Sequence, residues 1–306
     1  MAVLALYFVL PQGAGAQGAT TQGGTAQRAD SARIGDATPN CASCAAWNAP
    51  QRPFRIFGNT YFVGTRGLSA VLITSRDGHV LIDAGLPESA VPIIANVRAL
   101  GFHVEEIRVI LNSHAHYDHA GGIAALQRAS GATVRAHQWS ARVMATGRSV
   151  SGDPQLGLDL PYPPVAGVQP LRDRAPVGFG ALLLTPSFTG GHTPGGTSWS
   201  WRSCEGALCY DMVYADSQTP VSADDFRFSR SSTYSDAVQD FRRGFALLET
   251  IKCDVLLTPH PGASGMFDRM GHGRVRADAG GCREYVRGAR LRLQERLALE
   301  AKQGKE

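Results

Sequence analysis

Short apolar runs separated by polar turns recur along the chain from Phe54 onward, a pattern typical of β-strands. Asp77-Gly78, between two of these runs, is a strong hairpin signal. The runs predict strands at Arg55–Phe57, Thr60–Val63, Ala70–Ser75, His79–Asp83, Arg108–Leu111, Thr133–Ala136, Ala181–Thr185, Thr197–Arg202, Met212–Ala215 and Asp254–Leu257.

Other segments carry apolar residues at helical spacing. The pattern predicts helices at Glu88–Leu100, Ile123–Arg128, Ala141–Ala145, Tyr234–Ile251 and Arg283–Lys302. The order of strands, strand–helix units, more strands and a strand–helix unit again indicates an α/β fold. We expect two β-sheets packed face to face with helices on the outer faces, an αβ/βα four-layer sandwich. Residues 41–306 are predicted to form this fold as a single domain.

The first 40 residues differ from the rest. Residues 2–10 are apolar but too short to span a bilayer, which takes about 20 residues, and Ala14-Gly15-Ala16 fits a cleavage site. We therefore interpret residues 1–16 as a signal peptide, although they contain no Lys or Arg; a buried strand is the alternative. Residues 17–40, rich in Gly, Ala, Thr and Gln, are predicted to be a disordered leader.

Composition and charge narrow the class of protein. With 43% hydrophobic and 18% charged residues among 306, the chain is typical of globular proteins. The net charge is +4, and the basic residues are scattered except in the last predicted helix. We therefore expect neither a nucleic-acid nor a membrane partner.

Six cysteines, an even number, agree with export to an oxidising compartment. Cys253 and Cys282 precede a predicted strand and a predicted helix, which a bridge could tie together. Closing a loop of that length is worth about 3–4 kcal/mol in the chain-entropy model. Cys204 and Cys209 flank a turn-like segment and could close a hairpin.

The run HAHYDH places His114, His116, Asp118 and His119 within six residues, directly after an apolar run. Imidazole nitrogen and carboxylate oxygen are ligand types that zinc prefers. Residues two apart in an extended segment point the same way, so His114 and His116 can reach one metal. Asp118 and His119, beyond a bend, can reach another. The run predicts a metal site with two metals.

Two further histidines lie at the ends of predicted strands. His192 is surrounded by glycines in GGHTPGG, and His260 lies between prolines in TPHP. Glycines allow a sharp turn and keep side chains clear of a metal, and prolines stiffen the backbone. We interpret both as metal ligands. The remaining histidines lack this setting and are interpreted as structural or surface residues: His79, His103, His137 and His272.

HAHYDH, GGHTPGG and TPHP, in this order and spacing, resemble the metallo-β-lactamase superfamily across residues 54 to about 300. HxHxDH alone marks only the superfamily, whose members hydrolyse lactams, thioesters, lactones, phosphodiesters and sulfates. Two segments are similar to subclass B3: YADSQTPVSADDFRF (214–228) and TPGGTSWSWRSCEG (193–206). Ser217 stands where other branches have a cysteine ligand or a bridging aspartate.

The resemblance implies a zinc-dependent enzyme that hydrolyses the β-lactam amide bond of penicillins, cephalosporins and carbapenems by a metal-bound hydroxide, and so confers antibiotic resistance. The predicted signal peptide indicates export to the periplasm, and a monomer is the default expectation. Two Zn²⁺ ions are expected. The first would bind to His114, His116 and His192, and the second to Asp118, His119 and His260.

Further roles follow from the same resemblance. Asp118 would orient the attacking hydroxide, and Ser217 and Thr219 would hydrogen-bond the substrate carboxylate, or else simply form turns. Gln155 is a candidate substrate contact, because it lies in the loop 148–165, which is long and rich in Gly, Pro, Asp and Ser. Asp83 matches an aspartate that braces the metal loop; a turn residue at a strand end is the alternative. Substrate preference is expected to depend on this loop and on the rim near Phe226.

Two alternatives stay open at this stage. If the register after the predicted strand Met212–Ala215 is shifted by one residue, the Asp216 carboxylate would lie between the metals, which would favour a glyoxalase-II-like thioesterase or a lactonase. A zinc-binding relative that has lost catalysis is the other alternative.

Cys41 and Cys44 form a CxxC motif. Some relatives pair a cysteine near position 41 with one where this chain has Arg66, so that bridge is excluded and the pairing of Cys41 with Cys44 is an open expectation. A structural zinc is the rival interpretation, although no second CxxC completes a set of four ligands.

Overall fold

The computed structural model describes residues 41–271 and 274–303. The predicted signal peptide and leader, together with His272, lie outside the described residues.

Among the described residues, seven strands form the first sheet: β1 Phe54–Phe57, β2 Thr60–Phe62, β3 Val71–Ser75, β4 Gly78–Ile82, β5 Ile107–Leu111, β6 Thr133–Ala136 and β7 Gln169–Pro170. Their order in the sheet is their order in the chain. Neighbours from β1 to β4 are antiparallel, and neighbours from β4 to β7 are parallel.

The second sheet in the described part of the chain has five strands: β8 Val177–Phe179, β9 Leu182–Phe188, β10 Thr197–Glu205, β11 Leu208–Tyr214 and β12 Val255–Leu257. Their order in the sheet is β12-β11-β10-β9-β8. β11 and β12 pair in parallel, and the other neighbours are antiparallel. Two further strands, β13 Met270–Gly271 and β14 Arg274–Val275, form a separate pair.

Seven α-helices accompany the sheets in the described part of the chain. They are α1 Cys44–Trp47, α2 Ala90–Ala99, α3 Tyr117–Ala120, α4 Ile123–Ser130, α5 Gln138–Thr146, α6 Ala237–Thr250 and α7 Gly281–Gln303.

Alternation along the strands divides the buried residues into layers. On β3, Val71 and Ile73 pack in the cluster shared with the second sheet, whereas Leu72 packs with the helices α2 to α5. On β11, Met212 faces the first sheet and Val213 faces α6 and α7. The molecule is therefore an αβ/βα sandwich, which confirms the predicted fold class.

The predicted elements are present with shifted bounds. The hairpin turn between β3 and β4 consists of residues 76–77, and Gly78, at φ 129°, opens β4. The helix predicted from Tyr234 begins only at Ala237, because the Ser231 hydroxyl accepts the Tyr234 N–H and holds that segment as a turn. The short strands β7, β8, β13 and β14 and the one-turn helices α1 and α3 were not predicted.

Three disulfides use all six cysteines. Cys204 and Cys209 face each other across the β10–β11 hairpin, and Cys253–Cys282 ties the start of β12 to α7, as expected. Cys41 pairs with Cys44, so the CxxC holds no structural zinc here. In residues 41–271 and 274–303, no helix has the length and apolarity to cross a membrane.

Candidate metal centre

Side chains of metal-ligand type converge where strands of both sheets end. β5 in the first sheet and β9, β11 and β12 in the second are followed directly by the segments 112–119, 189–196, 215–219 and 258–260. The two sheets meet here, since the Thr197 N–H donates to the Ser113 carbonyl at 2.8 Å. Carboxyl ends of strands are common places for ligand sites in α/β proteins.

Three histidines form the first group. His114, His116 and His192 are buried, and each offers a ring nitrogen within 4.8 Å of the other two. Their rings lie nearly perpendicular to one another, with centroids 4.8–5.1 Å apart. This clustering matches the predicted first ligand set.

The outer ring nitrogen of each histidine is held by a hydrogen-bond partner. Such partners fix the tautomer and orientation of metal-binding histidines. The three pairs are His114 Nδ1 with Asp216 Oδ1 at 2.7 Å, His192 Nδ1 with the Thr219 carbonyl at 2.8 Å, and His116 Nε2 with the Asp153 carboxylate at 3.1 and 3.2 Å.

The second group consists of Asp118, His119 and His260. The Nε2 atoms of both histidines lie 3.2 Å from Asp118 Oδ2, and the ring centroids are 4.8 Å apart. The His260 Nδ1 is held by the Gly67 carbonyl at 3.2 Å. His119 also belongs to a cluster with His114 and Asp118, so the two groups are contiguous.

Unpartnered buried nitrogens show that these residues suit a metal. The Nε2 of His114 and both ring nitrogens of His119 are buried without a hydrogen-bond partner among residues 41–271 and 274–303. Such orphaned groups are uncommon, because buried polar atoms are normally satisfied. A cation with nitrogen and oxygen ligands would satisfy them.

The surroundings of His114, His192 and Asp118 favour the deprotonated forms of these side chains, which have a lone pair free for a metal. Burial lowers the pKa of His114 well below its usual value, and burial together with the neighbouring His116 lowers the pKa of His192 to about 3. Although burial raises the pKa of Asp118, the surrounding His119 and His260 hold it well below the usual range. Neutral imidazole and ionised carboxylate are the metal-binding forms of these side chains.

His116 differs from the other two histidines of its group. Burial alone would lower its pKa, but the carboxylates of Asp153 and Asp159 raise it to about 10. The Asp153 carboxylate lies within hydrogen-bond distance of its Nε2. The Nδ1 lies 3.5 Å from the Gln155 amide nitrogen.

Asp83 holds the start of the segment that leads to His114 by hydrogen bonds. It lies at φ 57°, a left-handed backbone conformation uncommon outside glycine, and is fully buried. Its carboxylate accepts hydrogen bonds from the N–H and hydroxyl of Ser113, the Tyr214 hydroxyl and the Asn112 amide. These contacts fix the turn between β5 and His114.

The glycines around His192 lie where a side chain would clash with neighbouring residues. Gly191 lies at φ 125°, and a Cβ there would come 2.5 Å from the Phe241 ring. A Cβ on Gly196 would lie 2.5 Å from Asp216 Oδ2. The glycines therefore make room for Phe241 and Asp216, not for a metal as the sequence suggested.

A cavity of about 230 Å³ opens over both groups. Ser217, Thr219 and Gln155 line it, and the Gln155 amide nitrogen lies 3.3 Å from His192 Nε2. Phe226 lines a neighbouring cavity, and Val221 lines this one.

Asp216 lies behind His114 and outside the cavity lining. Its side chain is fully buried, with Oδ1 on the outer nitrogen of His114. Its neighbour Ser217 lines the cavity, since adjacent residues on an extended segment face opposite ways. The register shift that would have placed this carboxylate between the metals is not observed.

Sequence reasoning missed three residues of the site. Asp153 and Asp159 come from the loop 148–165, where acidic residues have no periodic signal. Trp47, in α1, lines the cavity and packs against His260 with ring centroids 5.2 Å apart. Its position next to the CxxC was the available signal, because the disulfide fixes that short helix.

The family model of the metallo-β-lactamase superfamily matches residues 63–263, which include every residue of both groups. The chain belongs to the metallo-β-lactamase superfamily. Its clustered histidine and aspartate side chains, together with this match, support a bound metal.

Solved structures of this superfamily superpose closely on the chain. Rm3 metallo-β-lactamase is 50% identical with a TM-score of 0.84, covering 86% of this chain and 100% of that one. MEM-A1, a subclass B3 metallo-β-lactamase from a soil metagenome library, is 46% identical with a TM-score of 0.82, covering 84% and 99%.

Curated relatives are more distant. A hydroxyacylglutathione hydrolase from Anaeromyxobacter dehalogenans is 33% identical over 131 residues, or 43% of this chain and 41% of the relative. The chain spans about half the length of the curated relatives it matches.

Proposed function

We propose that the protein is a subclass B3 metallo-β-lactamase that hydrolyses the lactam amide bond of penicillins, cephalosporins and carbapenems with two bound zinc ions. Solved structures described as metallo-β-lactamases, at 46–50% identity over almost their whole length, support the substrate class. In this proposal the first zinc is held by His114, His116 and His192. The second is held by Asp118, His119 and His260.

The arrangement of the segment after β11 carries the proposal. Ser217 and Thr219 line the cavity beside the ligand groups, and Asp216 lies behind His114. Two hydroxyls beside the reacting centre suit a substrate with a carboxylate next to its amide bond, as β-lactams have. Hydroxyl-to-carboxylate hydrogen bonds are charge-assisted and therefore strong.

Zinc, when bound, supplies a Lewis acid and lowers the pKa of water from about 15.7 toward about 7. The chain's own residues then hold the reactants. The Asp118 carboxylate accepts a hydrogen bond from the attacking hydroxide and keeps it oriented toward the amide carbonyl. Ser217 and Thr219 donate to the substrate carboxylate, and the Gln155 amide contacts the substrate from the loop 148–165. Holding both reactants in place lowers the entropic cost of the reaction.

A thioester or lactone is the second candidate substrate. The similarity to a hydroxyacylglutathione hydrolase supports it, although over less than half of either chain. The position of Asp216 is against it, because a carboxylate turned away from the cavity does not bridge two metals.

A substrate panel tests the proposal. The purified, zinc-loaded full chain would be given a carbapenem, a cephalosporin, a hydroxyacyl thioester and an acyl lactone at equal concentrations. We expect the lactams to be hydrolysed with much the highest kcat/KM. Preference for the thioester or lactone would replace the proposal with the second candidate, and no turnover of any of the four would leave a zinc-binding protein without this chemistry.

We also propose that the protein works as a monomer in the periplasm, where it would protect the cell from β-lactams. The three disulfides support an oxidising compartment. The expected signal peptide is consistent with this location.

A further inference from the structure

Each histidine of the first group offers one ring nitrogen to a metal. The hydrogen-bond partner of its other ring nitrogen fixes the orientation of the ring. Asp216 and Thr219, which hold His114 and His192, both lie in the segment that follows strand β11. Asp153, which holds His116, belongs to the loop 148–165. The orientation of the His116 ring therefore depends on a loop that contains no helix or strand.

The Asp153 carboxylate is a buried hydrogen-bond acceptor in that loop. Its side chain is fully buried, and Oδ1 accepts the Gln155 N–H at 2.9 Å in addition to the His116 ring. Its own N–H donates to the Val150 carbonyl at 3.1 Å. A buried carboxylate is stable only when hydrogen-bonded or paired, and His116 is its side-chain partner.

Two more contacts fasten the loop to the segment around His116. Asp159 accepts the Tyr117 N–H at 3.2 Å, and the Tyr162 hydroxyl donates to the Ala115 carbonyl at 2.8 Å. These hydrogen bonds fix the backbone on both sides of His116. They do not set the rotation of its ring, which is left to Asp153.

We propose that Asp153 is a positioning residue for the first zinc: it fixes the proton of His116 at Nε2 and thereby presents the Nδ1 lone pair to the metal. The inference deepens the proposed function and rests on it, since it assigns His116 to that zinc. Partners of this kind typically change metal affinity by about 10–100-fold when removed.

The same carboxylate could be read as a cation ligand, because His116, Asp153 and Asp159 offer ligand atoms within 4.8 Å of one another. That would use His116 Nε2 for a cation and leave its Nδ1 for the first zinc. A hydrogen bond explains the geometry with one proton and no added ion. Counting the metals separates the two interpretations.

The test compares Asp153→Ala, Asp153→Asn and Ser149→Ala in the full chain. Ser149→Ala is the control, since it removes a hydrogen bond to Asp159 in the same loop without touching a histidine. Zinc affinity is measured by competition with a chromophoric chelator, zinc content by elemental analysis, and the ligand field by the visible spectrum of the cobalt(II)-substituted protein. Thermal unfolding of the metal-free variants checks the fold.

We expect Asp153→Ala to weaken binding of one zinc by about 10–100-fold and to change the cobalt spectrum. Asp153→Asn, which keeps an acceptor oxygen without the charge, should fall between Asp153→Ala and wild type. Ser149→Ala should match wild type. Wild-type zinc affinity in Asp153→Asn overturns the proposal even if Asp153→Ala does not fold, and so does an equal loss in Ser149→Ala.

A third metal per chain that disappears in Asp153→Ala would also overturn it, in favour of a cation site. All these readouts are independent of substrate. If the wild type hydrolyses no lactam while the variants lose zinc as expected, the proposed function fails and the role of Asp153 stands.

Discussion

The six predicted metal ligands were recognisable in the sequence because each has a ligand side chain at the end of a buried strand or just beyond it. His192 and His260 are isolated in the sequence, but glycines and prolines around them marked rigid turns. Asp153 also lies between a glycine and a proline, Gly152 and Pro154, but it follows no predicted strand. An aspartate in a polar loop is usually solvated, and only the fold shows that this one is buried against His116.

His260 offers the sharpest prediction for a single residue. Its ring is the most exposed of the six ligand side chains, with 34% of the side chain accessible, and its Nε2 lies beside Asp118. We predict that His260→Ala reduces the zinc content from two ions to one per chain, because the second group keeps only Asp118 and His119. Elemental analysis after dialysis measures this directly.

His137→Ala is the matched control for that experiment. His137 Nδ1 accepts the Trp139 N–H at the start of α5, where the lost cap should cost about 1 kcal/mol of stability. Its zinc content should stay at two. Two ions in His260→Ala would show that the second metal is bound elsewhere.

At the scale of elements, the long amphipathic segments were predicted, whereas four short strands and two one-turn helices were not. α6 and the strands β3 to β6 have enough residues for a periodic pattern to appear. β7 has only two residues and pairs with β6 through Arg135 and Gln169, so its existence depends on a tertiary contact. No local pattern encodes such a pairing.

The end of α7 is anchored by a single carboxylate. Glu300 is 4% exposed and accepts hydrogen bonds from the Phe228 and Ser229 N–H groups and from Arg296. We predict that Glu300→Ala lowers the free energy of unfolding by about 2 kcal/mol at neutral pH, because two backbone donors lose a charged acceptor. Urea unfolding measures the difference, and Glu295→Ala, an exposed change in the same helix, should stay within about 0.5 kcal/mol of wild type.

The pH dependence of this effect has a definite sign. Although burial raises the pKa of Glu300, hydrogen bonds from Ser229, Arg296 and Phe228 hold it below the usual value. A depressed pKa gives stability that is present above the unfolded pKa, about 4.3, and is lost as pH falls through the folded value. The difference between wild type and Glu300→Ala should therefore shrink under acid conditions. A constant difference across this range would contradict the anchoring role.

At the scale of the whole molecule, the site exists because two sheets end at the same place. The first sheet supplies the segment from His114 to His119, and the second supplies His192 and His260. Periodicity predicted the two sheets, but it could not tell which strand ends meet, since that depends on pairings between residues far apart in the chain. The resemblance to a known family supplied that information.

The central claim is that this superfamily member is a lactamase that works with two zinc ions, and one titration tests it most directly. Metal-free full chain would be titrated with zinc while bound zinc and carbapenem hydrolysis are followed in the same samples. We predict binding that saturates at two ions per chain, with turnover that rises as zinc binds, is maximal at saturation and is abolished by a chelator. Saturation at two ions without lactam turnover, or turnover that survives complete removal of metal, would contradict the account.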